Sequence, residues 1–178
     1  MLDKLYITPR QWLHILRWTL YALLFLLAMM IQTVVLGNRP IFGITPDLIT
    51  VVIVCVCLRE GPEQGGLFAL LTSLFWCLSG ADGGSISIAV LTILPVLGSI
   101  LCRSVLNNRF LPCFLMTVLT LLGLHSAIFG MRYFIDGIEA SLFVEKLLPC
   151  VGISLLTQPP VYWLVKQIHR IGEKYESA

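Results

Sequence analysis

The chain has 178 residues, of which 57% are hydrophobic and 12% charged, with a formal net charge of +2. Soluble domains carry about 25% charged residues, so this composition, with a mean hydropathy of +0.89, excludes a soluble globular domain and a disordered chain. The small net charge excludes a nucleic-acid footprint.

In chain order, residues 1–17 are polar, with Lys4, Arg10, His14 and Arg17. Residues 18–37 form an apolar run with Gln32 as its only strongly polar side chain. Twenty residues of helix cover the roughly 30 Å hydrocarbon core. The run is longer than the apolar region of a signal peptide and lacks a cleavage pattern, so it reads as a retained first span. NRPIFG at 38–43 reads as a turn. Thr45, Pro46 and Asp47 then read as a helix start, with Thr45 as cap, Pro46 at the first helical position and Asp47 complementing the dipole. The second span covers 44–58 and ends at Arg59-Glu60-Gly61-Pro62. It is short, and must thin the bilayer or borrow the preceding loop. A third run covers 64–78, followed by the turn SGADGGS. A fourth covers 86–102 with Pro95 inside, a fifth 110–130, and a sixth 147–168 with Pro149, Pro159 and Pro160. Between the last two, MRYFIDGIEASLFVEK reads as a short interfacial helix.

The expected fold is therefore an all-α membrane protein, one polytopic domain over 1–178 with about six spans. A five-span arrangement, with 38–58 re-entrant, is the alternative. With the N-terminus inside, nine of the twelve Lys and Arg residues fall on the inner side. That asymmetry places both termini in the cytoplasm and favours an even count.

No catalytic motif, nucleotide loop or metal-ligand spacing occurs. The six cysteines lie in or beside apolar runs, without a CxxC pair, and read as small packing residues. Cys55 and Cys57 point to nearly opposite faces of a helix, so one metal cannot take both; no metal and no cofactor is expected. His125, deep in the fifth run, is a candidate proton or ligand group, or a hydrogen-bonding partner for a neighbouring helix. The acidic residues map to span boundaries, which counts against an ion-coupled transporter. Gly65, Ala69, Ser73 and Cys77 recur every four residues and form a small-residue stripe, for packing inside the chain or for docking a partner's helix.

Residues 45–80 read TPDLITVVIVCVCLREGPEQGGLFALLTSLFWCLSG. This segment resembles the MreD family of bacterial rod-shape-determining membrane proteins, which show a P-D-L entry to an apolar span, a basic Gly-containing turn, a glycine-rich span and a turn near L-S-G. The matching positions are Pro46, Asp47, Leu48, Arg59, Gly61, Gly65, Gly66, Leu78, Ser79 and Gly80. The proline-bearing last run is similar too. Cys77 departs from the family, which often carries an aspartate there. The resemblance implies a non-enzymatic scaffold in the bacterial cytoplasmic membrane, within the machinery for lateral peptidoglycan synthesis. It implies MreC as main partner, RodA, a penicillin-binding transpeptidase and MreB in the wider complex, and a bundle like that of the substrate-binding S-components of energy-coupling-factor transporters. The alternative function is such a vitamin-binding S-component, whose pocket would draw on Arg39, Asp82, Arg132, Asp136 and Glu139.

Overall fold

A computed structural model of the chain describes residues 9–38, 44–80, 84–105, 110–136 and 140–173, nearly all of them helical. Helix α1 spans Pro9–Met30 and continues as a π-helical stretch over Ile31–Leu36. It is followed by α2 (Leu48–Glu60), α3 (Pro62–Leu78), α4 (Gly84–Val105), α5 (Phe110–Asp136), α6 (Ala140–Leu156) and α7 (Gln158–Glu173).

Among the described residues, three stretches, Gln11–Leu36, Gly84–Cys102 and Phe110–Phe134, are long and apolar enough to cross a membrane. The pair Leu147–Leu156 and Gln158–Ile171, bent by 42°, makes a fourth if it counts as one broken span. Helices α2 and α3 have 13 and 17 residues, about 20 and 26 Å at 1.5 Å per residue, and fall short of the roughly 30 Å core. Among the described residues, the outward helix faces carry many large apolar side chains, with Leu23, Leu27, Leu67, Leu71, Leu97, Leu101, Leu115 and Leu119 all exposed, as lipid contact requires and water does not tolerate.

Helix α2 is the axis of the bundle. Every residue from Leu48 to Cys57 is buried, and α2 packs against all the other helices, α1 and α3 to α7. Its core partners include Tyr21, Phe25, Phe68, Leu91, Leu124 and Val165. The segment is rich in β-branched residues (Ile49, Thr50, Val51, Val52, Ile53, Val54 and Val56), a composition that favours strands in water. Surrounded on every side by apolar helices, the backbone must satisfy its own hydrogen bonds, and a helix does so within one segment.

The start of α2 lies two residues later than the sequence reading put it. Asp47, not Thr45, is the N-cap: its carboxylate accepts from Thr50 N at 3.2 Å and from Thr50 Oγ1 at 2.6 Å. Gln32 Oε1, from the π-helical stretch, accepts from Ile49 N at 3.1 Å. Ser154 Oγ on α6 accepts from Asp47 N at 2.8 Å. Orphan donors of the first turn are thus paired within protein rather than with water. Asp47→Ala should cost about 1–2 kcal/mol, and Asp47→Asn less; denaturant unfolding of the purified protein in detergent measures both.

The α2–α3 corner turns at Gly61, whose φ of 94° favours glycine. Its N–H closes α2 by donating to Cys57 O at 3.0 Å, and Pro62 opens α3. Three further differences from the sequence reading concern element ends. Residues 103–105, read as polar connection, are helical and belong to α4. The expected interfacial helix is instead divided between the end of α5 and the start of α6. The last run is broken at Thr157, because Pro159 and Pro160 supply no N–H to continue the ladder from α6.

Candidate functional site

Two places are candidates for a functional site. The first is the C-terminal end of α2. Glu60, with a side chain 3% exposed, pairs with Arg17 of α1 at 3.1 Å. Tyr21 donates to Glu60 Oε1 at 2.7 Å, and His169 of α7 donates to the same oxygen through Nδ1 at 3.0 Å. Next to it, Arg59 donates to Tyr162 Oη at 2.8 Å, with its guanidinium carbon 5.1 Å from that ring's centroid. Burial alone would raise the Glu60 carboxyl. The hydrogen bonds from His169 and Tyr21 and the Arg17 charge outweigh it and hold the group below the usual carboxylate range. Because Arg17 and His169 both reach Glu60, the start of α1 and the end of α7 lie at one end of the bundle.

The second place is a groove of about 510 Å³ between α1 and α3, open to the apolar surface. Trp18, Phe25, Phe68 and Phe75 form its aromatic walls, with Leu67 and Leu71 along α3. Trp18 and Phe68 stand 6.1 Å apart, and Phe25 and Phe75 6.3 Å. Thr72 also lines the groove, but its hydroxyl donates to Phe68 O at 2.7 Å. Such a surface suits an apolar chain or helix rather than a polar solute.

None of the family-motif positions lines the α1–α3 groove; they are spread along the α2–α3 hairpin, and Arg59 belongs to the first place. Pro46 and Asp47 are buried at the head of α2, and Arg59 and Gly61 lie at its foot. Gly65 faces α2 directly: a Cβ there would stand 2.5 Å from Cys57 Cα. A Cβ on Gly66 would meet Val96 of α4, while Gly80 sits in the turn after α3 with a φ of 86°. Along the small-residue stripe, Ala69 is fully buried and Ser73 Oγ lies 3.3 Å from Thr92 Oγ1 of α4. Cys77, at its end, is partly exposed. From Gly65 to Ser73 the stripe therefore packs inside the chain, and α3 turns Leu67, Leu70, Leu71 and Leu74 outward.

His125 Nε2 lies 3.5 Å from Cys150 Sγ on α6, whose thiol also points at Thr45 O at 3.6 Å. Arg39, Asp82 and Glu139, named for the alternative pocket, lie outside the described residues, and Asp136 is the last residue of α5. Among the described residues, no group of three or more His, Cys, Asp or Glu side chains is placed to hold a metal. The sequence reading put Glu60 at a boundary without a partner, and missed Tyr21, Gln32, Ser154, Gln158 and Tyr162 as polar links. Only Gln32 carried a signal, as the lone strong polar group of the first run.

No family model, curated protein or solved structure matches the chain.

Proposed function

We propose that the chain is a non-enzymatic membrane scaffold of the MreD type, holding MreC within the machinery for lateral peptidoglycan synthesis in the bacterial cytoplasmic membrane. The observation that carries this reading is the pattern over residues 45–80, whose motif positions fall along the α2–α3 hairpin, with α2 buried at the axis of the bundle. All six predicted runs cross the bilayer in this reading, with α2 and α3 as short spans in a locally thinned membrane. The shared position of Arg17 and His169 supports an even number of crossings, and the basic residues put that end in the cytoplasm.

The α1–α3 groove receives the single span of MreC. RodA, the transpeptidase and MreB join through the wider complex. The first test is capture through a C-terminal tag after mild solubilisation, with co-purifying proteins identified by mass spectrometry. MreC is the expected partner; recovery of transporter ATPases and a coupling subunit instead would establish the S-component alternative. Ala22 of α1 lines the groove; Ala22→Trp fills it and should lower MreC recovery about tenfold, the equivalent of about 1.4 kcal/mol. Leu119→Trp, on the exposed face of α5, should leave recovery unchanged. Equal recovery from both variants would remove the groove from the interface.

A further inference from the structure

Helices α5 and α7 meet through side chains at two levels, with α2 behind them. At the deeper level, Cys113 Sγ of α5 lies 3.5 Å from Cys55 Sγ of α2 and 3.6 Å from Gln158 Nε2 of α7. All three residues are buried, so this level is closed. The other level lies one turn nearer the end of the bundle that holds Glu60. There Phe110, the first residue of α5, stands edge-on to Tyr162 of α7, with ring centroids 5.3 Å apart. Tyr162 Oη accepts from Arg59 at 2.8 Å. The carboxylate of Glu60 is taken up by Arg17, Tyr21 and His169. Among the described residues, Arg59 therefore has a neutral phenol, not a carboxylate, as its hydrogen-bonding partner. A guanidinium carries five N–H donors. Arg59 is partly exposed, and none of its nitrogens is both enclosed and unpartnered, so its remaining donors open to the surface. Lys166, also partly exposed, follows Tyr162 by one turn of α7, about 6 Å along the axis. Two cations thus flank the mouth of the α5–α7 seam. Beside it stand exposed apolar side chains, Leu111 and Leu115 of α5 and Trp163 of α7.

We propose that this mouth binds an anionic phospholipid, with its phosphate on Arg59 and Lys166 and an acyl chain along the exposed apolar side chains of α5 and α7. The fork of an arginine matches the oxygens of a phosphate, and a lysine adds a compact charge. Basic recesses between membrane helices on the cytoplasmic side select anionic headgroups. A soluble phosphate compound would use the two cations but leave Leu111, Leu115 and Trp163 uncovered. Tryptophan belongs at the headgroup level of a bilayer, so cations and apolar side chains together commit the site to a lipid. A zwitterionic lipid brings a cation of its own toward Arg59 and Lys166 and gains less. The site takes its cytoplasmic side from the orientation proposed above and is independent of MreC.

The test uses the full chain in mild detergent, titrated with phosphatidylglycerol or with phosphatidylcholine of the same acyl chains. Native mass spectrometry counts the bound lipid. Wild type should prefer phosphatidylglycerol, and the preference should shrink as salt rises. Arg59→Gln and Lys166→Gln should each weaken phosphatidylglycerol binding about fivefold and leave phosphatidylcholine binding unchanged. Arg132→Gln, about 33 Å further along α5 than Phe110, should bind both lipids as wild type does. Glycerol 3-phosphate, an anion without acyl chains, should not displace the lipid at equal concentration. Equal binding of the two lipids, or the same loss in Arg132→Gln as in Arg59→Gln, would overturn the site. Displacement by glycerol 3-phosphate would also overturn it, in favour of a soluble phosphate compound. If Arg59→Gln does not fold, the wild-type preference and Lys166→Gln still decide.

Discussion

Replacing Glu60 by alanine should destabilise the protein by about 3–5 kcal/mol, the range for breaking one side of a buried ion pair. The cost arises mainly from what is left behind. Arg17 would keep its charge without the carboxylate 3.1 Å away, and Tyr21 and His169 would lose an acceptor at 2.7 and 3.0 Å. Glu60→Gln retains an oxygen for those donors but leaves the guanidinium uncompensated, so it should fall between alanine and wild type. Combining Glu60→Gln with Arg17→Met removes both charges, and should cost less than the sum of the two single changes. Unfolding in detergent, followed by far-ultraviolet circular dichroism, reads the three single variants and the double variant against wild type.

The same contacts fix a pH dependence. The carboxyl of Glu60 is held below its ordinary value in the folded protein. The unfolded chain therefore binds the proton first as pH falls, and the native state binds it later. The stabilisation is fully present above the unfolded carboxylate value of about 4.3. It is lost as pH drops through the lower folded value. Wild type should lose stability across that acid window, and Glu60→Gln should lose less. Equal acid sensitivity in the two proteins would mean that Glu60 is not the ionised hub of the cluster.

What hydropathy makes visible here is exposure to lipid. The runs at 18–37, 86–102 and 110–130 are legible because nearly every side chain in them is apolar, whichever helix it touches. The same property hides the partners. Glu60 meets groups 39 and 109 residues away in sequence, and Cys55 meets Cys113 at a separation of 58; no local pattern encodes such pairings. The start of α2 is a different kind of miss. Thr45, Pro46 and Asp47 offer two acceptable caps, and the choice falls to Ser154, which holds Asp47 N from a helix 107 residues further on. The small-residue stripe leaves two neighbours open, a helix of this chain or a partner's helix. It could not say on which side the neighbour stood.

Gly65 is where that neighbour leaves no room, and Gly65→Ala should cost about 3 kcal/mol, the upper end for an added core methylene. The new Cβ would lie 2.5 Å from Cys57 Cα and 2.8 Å from Cys57 O. Both are backbone atoms of α2, so no change of rotamer relieves them; α3 must move away or the Gly61 corner must open. Gly66→Ala meets a single methyl of Val96 at 2.9 Å, which a side chain can yield, and should cost about 1 kcal/mol. A Cβ on Gly152 in α6 meets nothing within 4 Å, and Gly152→Ala should be neutral or stabilising by up to about 1 kcal/mol. The expected order of stability is Gly152→Ala, Gly66→Ala, then Gly65→Ala, from thermal unfolding in one detergent. Equal midpoints for the first and last would mean that α2 and α3 do not approach as closely as their backbones indicate. The series also separates folding from partnership. A larger Gly65 substitution would reduce MreC capture by disrupting the α2–α3 hairpin, whether or not the stripe touches MreC. Ala22→Trp, on the open side of the groove, changes the docking surface while leaving the axis of the bundle intact. Loss of capture with an unchanged unfolding midpoint in Ala22→Trp is therefore the result that would place the partner on the α1–α3 face.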